Sequence, residues 1–582
     1  MVPYKNVLDA FWEQVASRGG ERALATRTGD SWKSISWREF GEQVASLTSA
    51  LKHLDLSRDA KVAVFSDNGP EWLIADYAIL SAGMVSVPLY PNQTIEQLRF
   101  ILENSQAEAV FVKGAERLKK TLEACSLNNI IFIGEDGPRG PREHSFEKMI
   151  RAGGVDTFVL REEARAFSGR KLATIPYTSG TTAFPKGVML THGNIIAEIE
   201  MLSTRSIRQA SDDVLSFLPL PHMAERMNQF RQAITGYAIH FGGGIETLAR
   251  DLREVRPTSF GAVPRIYEKF QEAIRAKLAK DPSARVLFER LLSLAERELE
   301  AKRKGRWTPL LSARLKLLQR VVAPDLKKLI GLDRSNNFIG GAAPLSLSTL
   351  TFFYALGMSV IEVYGLTEVS GASHYNSLTN PVFGTVGPCL NGMECKIADD
   401  GEILLKGANV FEGYYRDPEA TREAFSEGWF HTGDIGQLDG DGCLKITDRK
   451  KSIIVTAAGK NIAPAPIEAL LRRSPIVSQV VVVGDKRKYL TALFTLVSGQ
   501  RVRDAEPLLE EHLNSVNAGL ASYQTVKHFR ILENDFSVEG GELTPSLKIK
   551  RSFVQEKYKA VIDTMYETNY EKERSPLNEH RT

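Results

Sequence analysis

The sequence predicts an α/β protein with a large N-terminal domain of layered α/β sheets and a small α+β C-terminal domain. Three observations support this fold class. The chain has 582 residues, too many for one hydrophobic core. Helical and strand patterns alternate over residues 37–112, and a smaller α/β pattern follows a Gly/Asp-rich stretch at 439–442. We expect domains at 1–447 and 448–570, and a disordered polar tail at 571–582.

The alternation near the N-terminus can be followed element by element. A helix is predicted at residues 40–54, a strand at 62–65, a helix at 71–81 and a strand at 85–89. Strands that alternate with helices in this way favour a parallel sheet. Residues 271–333 differ, because they are charged and carry apolar residues at helical spacing, namely Phe288, Leu291, Leu292, Ala295 and Leu299. This spacing predicts long helices that pack against a core.

A basic cluster ends the first of these long helices. It comprises Lys302, Arg303, Lys304 and Arg306 beside Trp307. Basic and aromatic residues together suit a membrane surface. A solvated helix end has the same composition and is the favoured interpretation. Peripheral membrane contact therefore stays open.

Composition excludes several function classes. The formal net charge is +3, which gives no electrostatic footprint for nucleic acid. The four cysteines are widely spaced and form no metal-binding pattern, so we expect free thiols in a reducing compartment. Neither a secretory signal nor a membrane-spanning apolar run is visible. These features predict a cytoplasmic protein.

The segment 177–187 carries the clearest functional signal. It packs five hydroxyl side chains, two glycines and Lys186 into eleven residues. Glycines allow backbone N–H groups to point inward, hydroxyls donate hydrogen bonds and lysine adds a mobile positive charge, which together suit a polyphosphate. It is no Walker A loop, because Lys186 precedes Gly187 rather than a serine or threonine. Without its flanking apolar runs the segment would be read as a solvated turn.

Two further segments offer parts of a nucleotide site. Residues 338–344 join an apolar strand to small residues, which lets a flat ring lie against the backbone. Residues 363–368 provide the Tyr364 ring, the Thr367 hydroxyl and the Glu368 carboxylate, which fit adenine stacking, phosphate contact and Mg²⁺ coordination. A close-packed turn and a buried structural glutamate are the respective alternatives.

A second pair of segments adds an acidic and a basic residue. In 428–434 the carboxylate of Asp434 can accept hydrogen bonds from both ribose hydroxyls. In 447–451 Arg449 adds a second ribose or phosphate contact. Singly, each of these charges would be assigned to the solvated surface.

Taken in order, these segments resemble the adenylate-forming superfamily, which includes acyl-CoA synthetases, luciferases and the adenylation domains of peptide synthetases. The resemblance runs from Trp37 to Arg551. It implies ATP and Mg²⁺ as cofactors, and it implies that the small domain is mobile about a hinge at Lys451. The chain departs from the usual phosphate loop by an alanine at 183, where the family has glycine.

The resemblance assigns nucleotide and metal residues. It places phosphate contacts at Thr178, Ser179, Gly180, Thr181, Thr182 and Lys186; adenine contacts at Gly341, Ala342, Ala343, Tyr364 and Gly365; ribose and further cofactor contacts at Asp434, Ile446 and Arg449; and metal ligands at Glu368 and Thr181. Thr367 and Glu368 are expected to act in catalysis.

Three other segments resemble the long-chain fatty acyl-CoA synthetases: 218–226, 263–269 and 446–464. By this resemblance His222 lies near the substrate carboxylate, and Gly459 belongs to the segment that serves the thioester step with coenzyme A. Ser452 stands where aspartate is frequent in these synthetases. In 542–551, Lys548 matches the adenylation lysine better than Lys550 does.

The implied reaction has two steps. A fatty-acid carboxylate attacks the α-phosphate of ATP to give acyl-AMP and pyrophosphate, and the coenzyme A thiol then displaces AMP. Alternatives within the class are a medium-chain or aryl carboxylate–CoA ligase and a ligase that loads acyl-AMP onto a carrier protein. A catalytically silent nucleotide- or acyl-binding module is the alternative from another class. The expected partners are small molecules, and a homodimer stays open.

Overall fold

The computed structural model describes residues 4–134, 140, 142–178, 185–341, 343–378, 380–544 and 548–567. The predicted tail, 571–582, lies outside them. Over the first 191 residues, helices and strands alternate: α1 Val7–Ser17, β1 Arg22–Thr28, β2 Ser31–Ser36, α2 Trp37–Lys52, β3 Lys61–Phe65, α3 Pro70–Ser81, β4 Val85–Leu89, α4 Ile95–Ser105, β5 Ala107–Lys113, α5 Ala115–Ala124, β6 Asn129–Ile133, β7 Glu143–Ser145, α6 Phe146–Arg151, α7 Thr157–Ala166, β8 Leu172–Thr174, β9 Tyr177–Thr178, β10 Lys186–Gly187 and β11 Leu190–Thr191.

These elements build a seven-stranded sheet in the order β11-β8-β4-β3-β5-β6-β7. Strands β4 to β7 pair in parallel with their neighbours, as the alternation predicted. The predicted helices and strands between residues 40 and 89 are confirmed with small boundary shifts. Local chemistry explains the bounds: Ser36 and Glu39 form a capping box at the start of α2, and Pro70 occupies the first turn of α3.

A second sheet follows. Its elements are α8 His192–Ser203, β12 Asp213–Ser216, α9 Met223–Thr235, β13 Ala238–Phe241, α10 Leu248–Val255, β14 Ser259–Ala262, α11 Pro264–Ala279, α12 Pro282–Arg303, α13 Pro309–Leu329, β15 Asn337–Gly340, α14 Leu347–Ala355, β16 Val360–Tyr364 and β17 His374–Tyr375. The eight strands run in the order β17-β16-β15-β14-β12-β13-β1-β2. Strands β12 to β16 are parallel, so the candidate segments after β14, β15 and β16 meet at one edge.

The long helices predicted in 271–333 are present as α11, α12 and α13. Phe288, Leu291 and Ala295 of α12 are fully buried in a core shared with α11, α13 and α14. The helical spacing therefore identified the packed face of α12 correctly. This layer covers one side of the second sheet.

A third, antiparallel sheet completes the large domain. Its elements are β18 Met393–Ile397, β19 Glu402–Gly407, α15 Pro418–Ala424, β20 Phe425–Ser426, β21 Trp429–Leu438 and β22 Leu444–Arg449. Strand β21 pairs with β19, β20 and β22. Asp434 and Arg449 thus come from adjacent strands.

The remaining elements form a smaller unit with its own apolar cores. They are β23 Ile454–Val455, β24 Asn461–Ile462, α16 Pro464–Leu471, β25 Val477–Val483, β26 Leu490–Leu496, α17 Val502–Asn517, β27 Val526–Ile531, α18 Arg551–Lys557 and α19 Lys559–Thr564. A three-stranded sheet, β25-β26-β27, lies at its centre. Within the described ranges, no helix is both long and apolar enough to cross a bilayer.

Candidate active site

The hairpin of β9 and β10 forms one arm of the candidate site. Thr178 lies opposite Lys186 in antiparallel register, and its hydroxyl donates to the Lys186 carbonyl oxygen at 3.5 Å. The loop between the two strands, residues 179–184, lies outside the described residues. The predicted phosphate contacts of Ser179, Gly180, Thr181 and Thr182 therefore stay predictions, as does the effect of the alanine at 183.

Lys186 and Glu368 meet at one tyrosine, Tyr414. The Lys186 Nζ lies 4.9 Å from the centroid of the Tyr414 ring, and the Tyr414 hydroxyl donates to Glu368 Oε1 at 3.0 Å. Loss of hydration raises the pKa of Glu368, and the hydrogen bonds that its carboxylate accepts, including that from Tyr414, counter the rise. Sequence reasoning missed Tyr414, which stands in a loop outside the five segments with a chemical signature.

Asp434 anchors a second group of predicted residues. Its Oδ2 accepts a hydrogen bond from the Tyr364 hydroxyl at 2.6 Å, and its Oδ1 lies 3.0 Å from Arg449 Nε. The pairing follows from strand register, since Asp434 lies opposite Arg449 on β21 and β22. The Asp434 residue is only 4% exposed. The predicted adenine residue and the two predicted ribose residues are thus joined by a hydrogen bond and an ion pair.

Small residues follow β15 as predicted. The Gly341 N–H donates to the Ala262 carbonyl at 3.3 Å, which extends the β14–β15 pairing by one residue. Ala343 is exposed, and Ala342 lies outside the described residues. Ile446 lies on β22 and packs against the large apolar core. The adenine contacts of Gly341, Ala342 and Ala343 stay predictions.

Gly365 begins the turn that carries Thr367 and Glu368. A Cβ at Gly365 would lie 1.7 Å from the Gly371 carbonyl oxygen, so the close approach of these two chain segments requires glycine. Thr367 opens a short 3₁₀ turn, Thr367–Val369, and its carbonyl accepts from the Ser370 N–H at 3.0 Å. The turn is therefore set by backbone geometry before any ligand binds.

A buried carboxylate stabilises the chain just after this turn. Glu198 of α8 accepts hydrogen bonds from the Ala372 N–H at 2.7 Å and from Asn409 Nδ2 at 2.8 Å. Burial raises the pKa of Glu198 to about 8. Sequence reasoning also missed this residue, although a carboxylate on the apolar face of a helix, between Ile195 and Leu202, was a readable signal.

Lys548 reaches these groups from the small unit. It lies in a hairpin whose strands are tied by Thr544 N–H to Lys548 O at 2.7 Å and by Lys550 N–H to Glu542 O at 2.7 Å. Loss of hydration and the nearby Arg449 guanidinium lower the pKa of Lys548, while Asp434 and Glu368 oppose that change. The Lys548 residue is exposed, and its charge is within electrostatic range of these three groups. By contrast, Lys550 Nζ lies 5.8 Å from the Phe553 ring.

Two family models together match most of the chain. The family model described as AMP-binding enzyme matches residues 11–415, and that described as AMP-binding enzyme C-terminal domain matches residues 451–570. The chain belongs to the AMP-binding enzyme family. The predicted superfamily is therefore confirmed.

Individual relatives agree with this membership. The chain is similar to the long-chain-fatty-acid–CoA ligase FadD15 of Mycobacterium bovis, with 34% identity and 92% of each chain covered. It is 32% identical to the long-chain-fatty-acid–CoA ligase ACSBG2 of Xenopus laevis, covering 97% of this chain and 84% of that one. The solved anthranilate CoA ligase AuaEII, in complex with anthranoyl-AMP, superposes with a TM-score of 0.75. At 18% identity, with 96% and 98% of the two chains covered, this structure supports the fold alone.

These findings confirm several predictions about the AMP-binding enzyme. The α/β fold class with its smaller C-terminal domain is confirmed, and so are the enzyme class, acid–thiol ligase, and the cofactor set of ATP, Mg²⁺ and coenzyme A. The domain boundary at 447/448 and the roles of the individual site residues stay predictions.

His222 lies within electrostatic range of Lys548. It caps α9, with its Nδ1 accepting from the Ala224 N–H at 3.2 Å, which sets the orientation of the ring. Loss of hydration and the positive charge of Lys548 lower the pKa of His222 to about 4. The imidazole of the AMP-binding enzyme is thus neutral at physiological pH and can interact with a carboxylate by hydrogen bonding only.

A buried ion pair holds the helix that bears His222. Arg226 and Asp76 are both fully buried, with 2.5 Å between Arg226 Nη2 and Asp76 Oδ1. Arg226 Nη1 also donates to Thr174 Oγ1 at 2.5 Å, on the strand that leads towards the phosphate segment. One guanidinium therefore ties helix α9 to the base of that segment.

The predicted hinge, Lys451, is exposed in a 3₁₀ turn, Lys450–Ser452. The preceding Lys450 is fixed to the large domain, with Nζ 2.6 Å from Asp400 Oδ2 and 2.9 Å from Glu402 Oε2. Beyond the turn, the Ala465 N–H donates to Asp448 Oδ2 at 2.9 Å. Lys451 thus directly follows a residue, Lys450, whose side chain is anchored to the large domain.

Gly459 lies in the turn between β23 and β24, with φ at +71°, where glycine is favoured. Its N–H donates to the Thr456 carbonyl oxygen at 2.8 Å. Among the described residues, a Cβ at Gly459 would meet no atom within 4 Å. The structure therefore brings Lys548 to the nucleotide residues and leaves the Gly459 turn open.

Proposed function

We propose that the protein activates a long-chain fatty acid with ATP and transfers the acyl group to coenzyme A. The observation that carries the proposal is the electrostatic interaction of Lys548 with Glu368, Asp434 and Arg449, four residues from four separate segments of the chain, of which Asp434 and Arg449 form an ion pair. The names of the relatives from Mycobacterium bovis and Xenopus laevis support the choice of a long-chain acid and of coenzyme A.

The first step brings two anions together. A carboxylate oxygen of the fatty acid attacks the α-phosphorus of ATP, the bond to the bridging oxygen breaks, and pyrophosphate leaves with that electron pair. Because the approach of the carboxylate to the phosphate is repulsive, positive charge must already be in place. Lys548 provides it at the α-phosphate, and Lys186 provides it at the phosphates that leave.

The donor set suits Mg²⁺ as the bound cation. Glu368 offers a carboxylate oxygen in a setting that raises its pKa, and a nearby cation would restore the charged form. Within the described ranges, no group of three His, Cys, Asp or Glu residues forms a metal cage, which fits an ion held by one carboxylate and by phosphate oxygens. When bound, the ion supplies positive charge against the phosphates.

The second step needs a different set of groups. The thiol sulfur of coenzyme A attacks the acyl carbon, AMP leaves through its phosphate oxygen, and the thiol proton is released. Lys548 has no role once pyrophosphate has gone. We propose that the small domain then turns about Lys451, withdraws Lys548 and presents the Gly459 turn to the thioester site.

The remaining expectations about setting belong to this proposal. The small-molecule partners, namely fatty acid, ATP and coenzyme A, fit the enzyme family. We further propose a cytoplasmic protein with peripheral contact to a membrane surface. A homodimer stays a prediction.

The test is production of AMP and pyrophosphate from Mg-ATP by the purified protein, with fatty and aromatic acids of graded size, each with and without coenzyme A. We expect turnover to be highest with long-chain acids and sustained AMP release to require coenzyme A. Pyrophosphate without thioester would point to a carrier-protein acceptor, and a maximum with aromatic or medium-chain acids would replace the substrate class. Silence with every acid would overturn the proposal in favour of a binding module.

A further inference from the structure

The exposed side of helix α13 carries an apolar stripe. Leu310, Leu317 and Val321 are 61%, 66% and 68% exposed. Their spacing of seven and four residues places them on one helical face. The opposite face is packed, since Leu315, Ala323 and Leu326 are buried in the core beneath the second sheet. The stripe is therefore displayed by a well-anchored helix.

Two hydrogen bonds fix α13 in this orientation. Gln319 Nε2 donates to the Tyr354 carbonyl at 3.0 Å, and Lys327 Nζ donates to the Gly357 carbonyl at 3.3 Å. Both acceptors belong to α14 or the residues just after it. Rotation that would hide Leu317 and Val321 would break these bonds and expose the buried face.

Positive charge flanks the stripe. On the helical wheel, Arg314 lies on one side and Lys316 and Arg320 on the other, and all three are exposed. Residues 302–329 hold nine lysines and arginines and a single acid, Asp325, whereas the whole chain has a net charge of only +3. This charge is concentrated beside an apolar ridge, which is complementary to a surface that is anionic above and apolar below.

The basic cluster that the sequence suggested contributes less. Lys302 Nζ donates to the Tyr354 hydroxyl at 3.0 Å, and Lys304 Nζ lies 2.6 Å from Glu300 Oε1. The Trp307 indole N–H donates to Ser312 Oγ at 2.8 Å. These groups are engaged in holding the α12–α13 turn, so the candidate contact surface moves from the turn onto α13.

We propose that the outer face of α13 docks on an anionic lipid bilayer, with Leu310, Leu317 and Val321 entering the headgroup region. The inference rests on the proposed function in one respect, since long-chain acids partition into bilayers and a docked enzyme would meet them there. Helix α13 packs on α12 and α14, and α14 follows the strand end that bears Gly341. The helix layer that carries the docking face therefore adjoins the chain segment that bears Gly341.

The test is flotation of the full-length protein with vesicles of phosphatidylglycerol and phosphatidylcholine, without ATP or coenzyme A. The wild type should float with anionic vesicles and far less with pure phosphatidylcholine. The triple change Leu310→Gln, Leu317→Gln and Val321→Gln should lower partitioning at least about tenfold. Changing Arg314, Lys316 and Arg320 to glutamine should lower it roughly fivefold per residue at low salt.

A matched control is Leu508→Gln. Leu508 is 54% exposed on α17 of the small domain, where Glu510 and Glu511 are its neighbours. This variant should float like the wild type. The melting temperatures of all variants should agree with that of the wild type, because every altered side chain is exposed.

Three results would overturn the proposal. In the first, the wild type fails to float with anionic vesicles. In the second, the apolar triple variant floats as well as the wild type. In the third, the wild type sediments as a dimer and the triple variant as a monomer, which would assign the stripe to a second copy of this chain. If only the changes at Arg314, Lys316 and Arg320 lowered flotation, the second result would apply, and this face would be a general contact for polyanions. Because no substrate is present, loss of acyl-CoA synthesis would leave these outcomes unchanged.

Discussion

The nucleotide wall of the large domain and the two turns of the small domain are built in different ways. In the wall, Tyr364, Asp434 and Arg449 hold one another, and Glu198 supports the neighbouring turn from a buried position. The Lys548 hairpin and the Gly459 turn are instead shaped by local backbone hydrogen bonds. The difference teaches that side chains from distant segments hold the wall together, whereas each of the two turns depends on its own backbone, as the proposed exchange of the turns between the half-reactions requires.

The largest expected effect is that of Lys548→Ala. Removing this charge should slow adenylate formation by about 10²–10³-fold, or about 3–4 kcal/mol, because one preorganised charge at the α-phosphate is lost. Thioester formation from supplied acyl-AMP should be retained. Measuring pyrophosphate release and acyl-CoA formation separately checks both statements.

Lys550→Ala is the matched control, since Lys550 lies two residues further along the same hairpin and faces Phe553. It should leave adenylate formation within about twofold of the wild type. Equal loss in both half-reactions for Lys548→Ala, or a large loss for Lys550→Ala, would erase the distinction between the two turns.

Gly459→Val is expected to act on the other half-reaction. A β-branched residue at a φ of +71° costs about 1–2 kcal/mol, which should distort the turn and slow thioester formation by about tenfold. Pyrophosphate release in the first step should stay close to that of the wild type. Single-turnover transfer from acyl-AMP to coenzyme A measures the effect.

Gly499→Val tests whether strain alone explains such a result. Gly499 has a φ of +89° in another open turn of the small domain. Its replacement should lower thermal stability comparably and leave transfer to coenzyme A unchanged. If both glycine variants slowed transfer alike, the special role of the Gly459 turn would be lost.

The smallest effect on either half-reaction is expected in the wall, from Glu198→Gln, which should act on stability instead. Burial raises the pKa of Glu198 to about 8, so the folded protein keeps a proton that the unfolded chain releases above its ordinary pKa of 4.5. The free energy of unfolding therefore falls as pH rises from 4.5 to about 8. Glutamine, which cannot ionise, should remove this decline in the free energy of unfolding.

Melting temperatures measured across that pH range provide the check. Glu200→Gln, on the same helix, is the control and should leave the slope as it is in the wild type. If the change of melting temperature with pH were the same in Glu198→Gln as in the wild type, this carboxylate would already be charged in the folded protein.

Much of the wall was predictable from sequence because its parts carry chemistry in short segments. Tyr364, Glu368, Asp434 and Arg449 each stand in a segment with a functional signature. Tyr364 and Glu368 come at the end of the parallel strand β16, whereas Asp434 and Arg449 are neighbours in the antiparallel register of β21 and β22. The choice of Lys548 over Lys550 stays a prediction, supported by the electrostatic interactions of Lys548 with Arg449, Asp434 and Glu368.

The supporting residues could not be predicted in this way. Tyr414 reaches Lys186 and Glu368 from a loop, and only the paths of distant segments bring the three together. The exposed stripe on α13 has the same periodicity as a packed face, and periodicity alone does not say which side meets solvent. Such properties depend on tertiary packing that one sequence does not encode locally.

The two ion pairs of Lys450 have a consequence for how far the small domain can travel. Since Lys450 is pinned to Asp400 and Glu402, any rotation that preserves those pairs must be absorbed by backbone torsions after residue 450. The small domain would then rotate about this anchored point, and Lys548 and Gly459 would both move along arcs centred on it. The distance that each turn travels would then depend on which residue is anchored to the large domain. Moving the anchoring lysine by one residue would displace the Lys548 and Gly459 turns together.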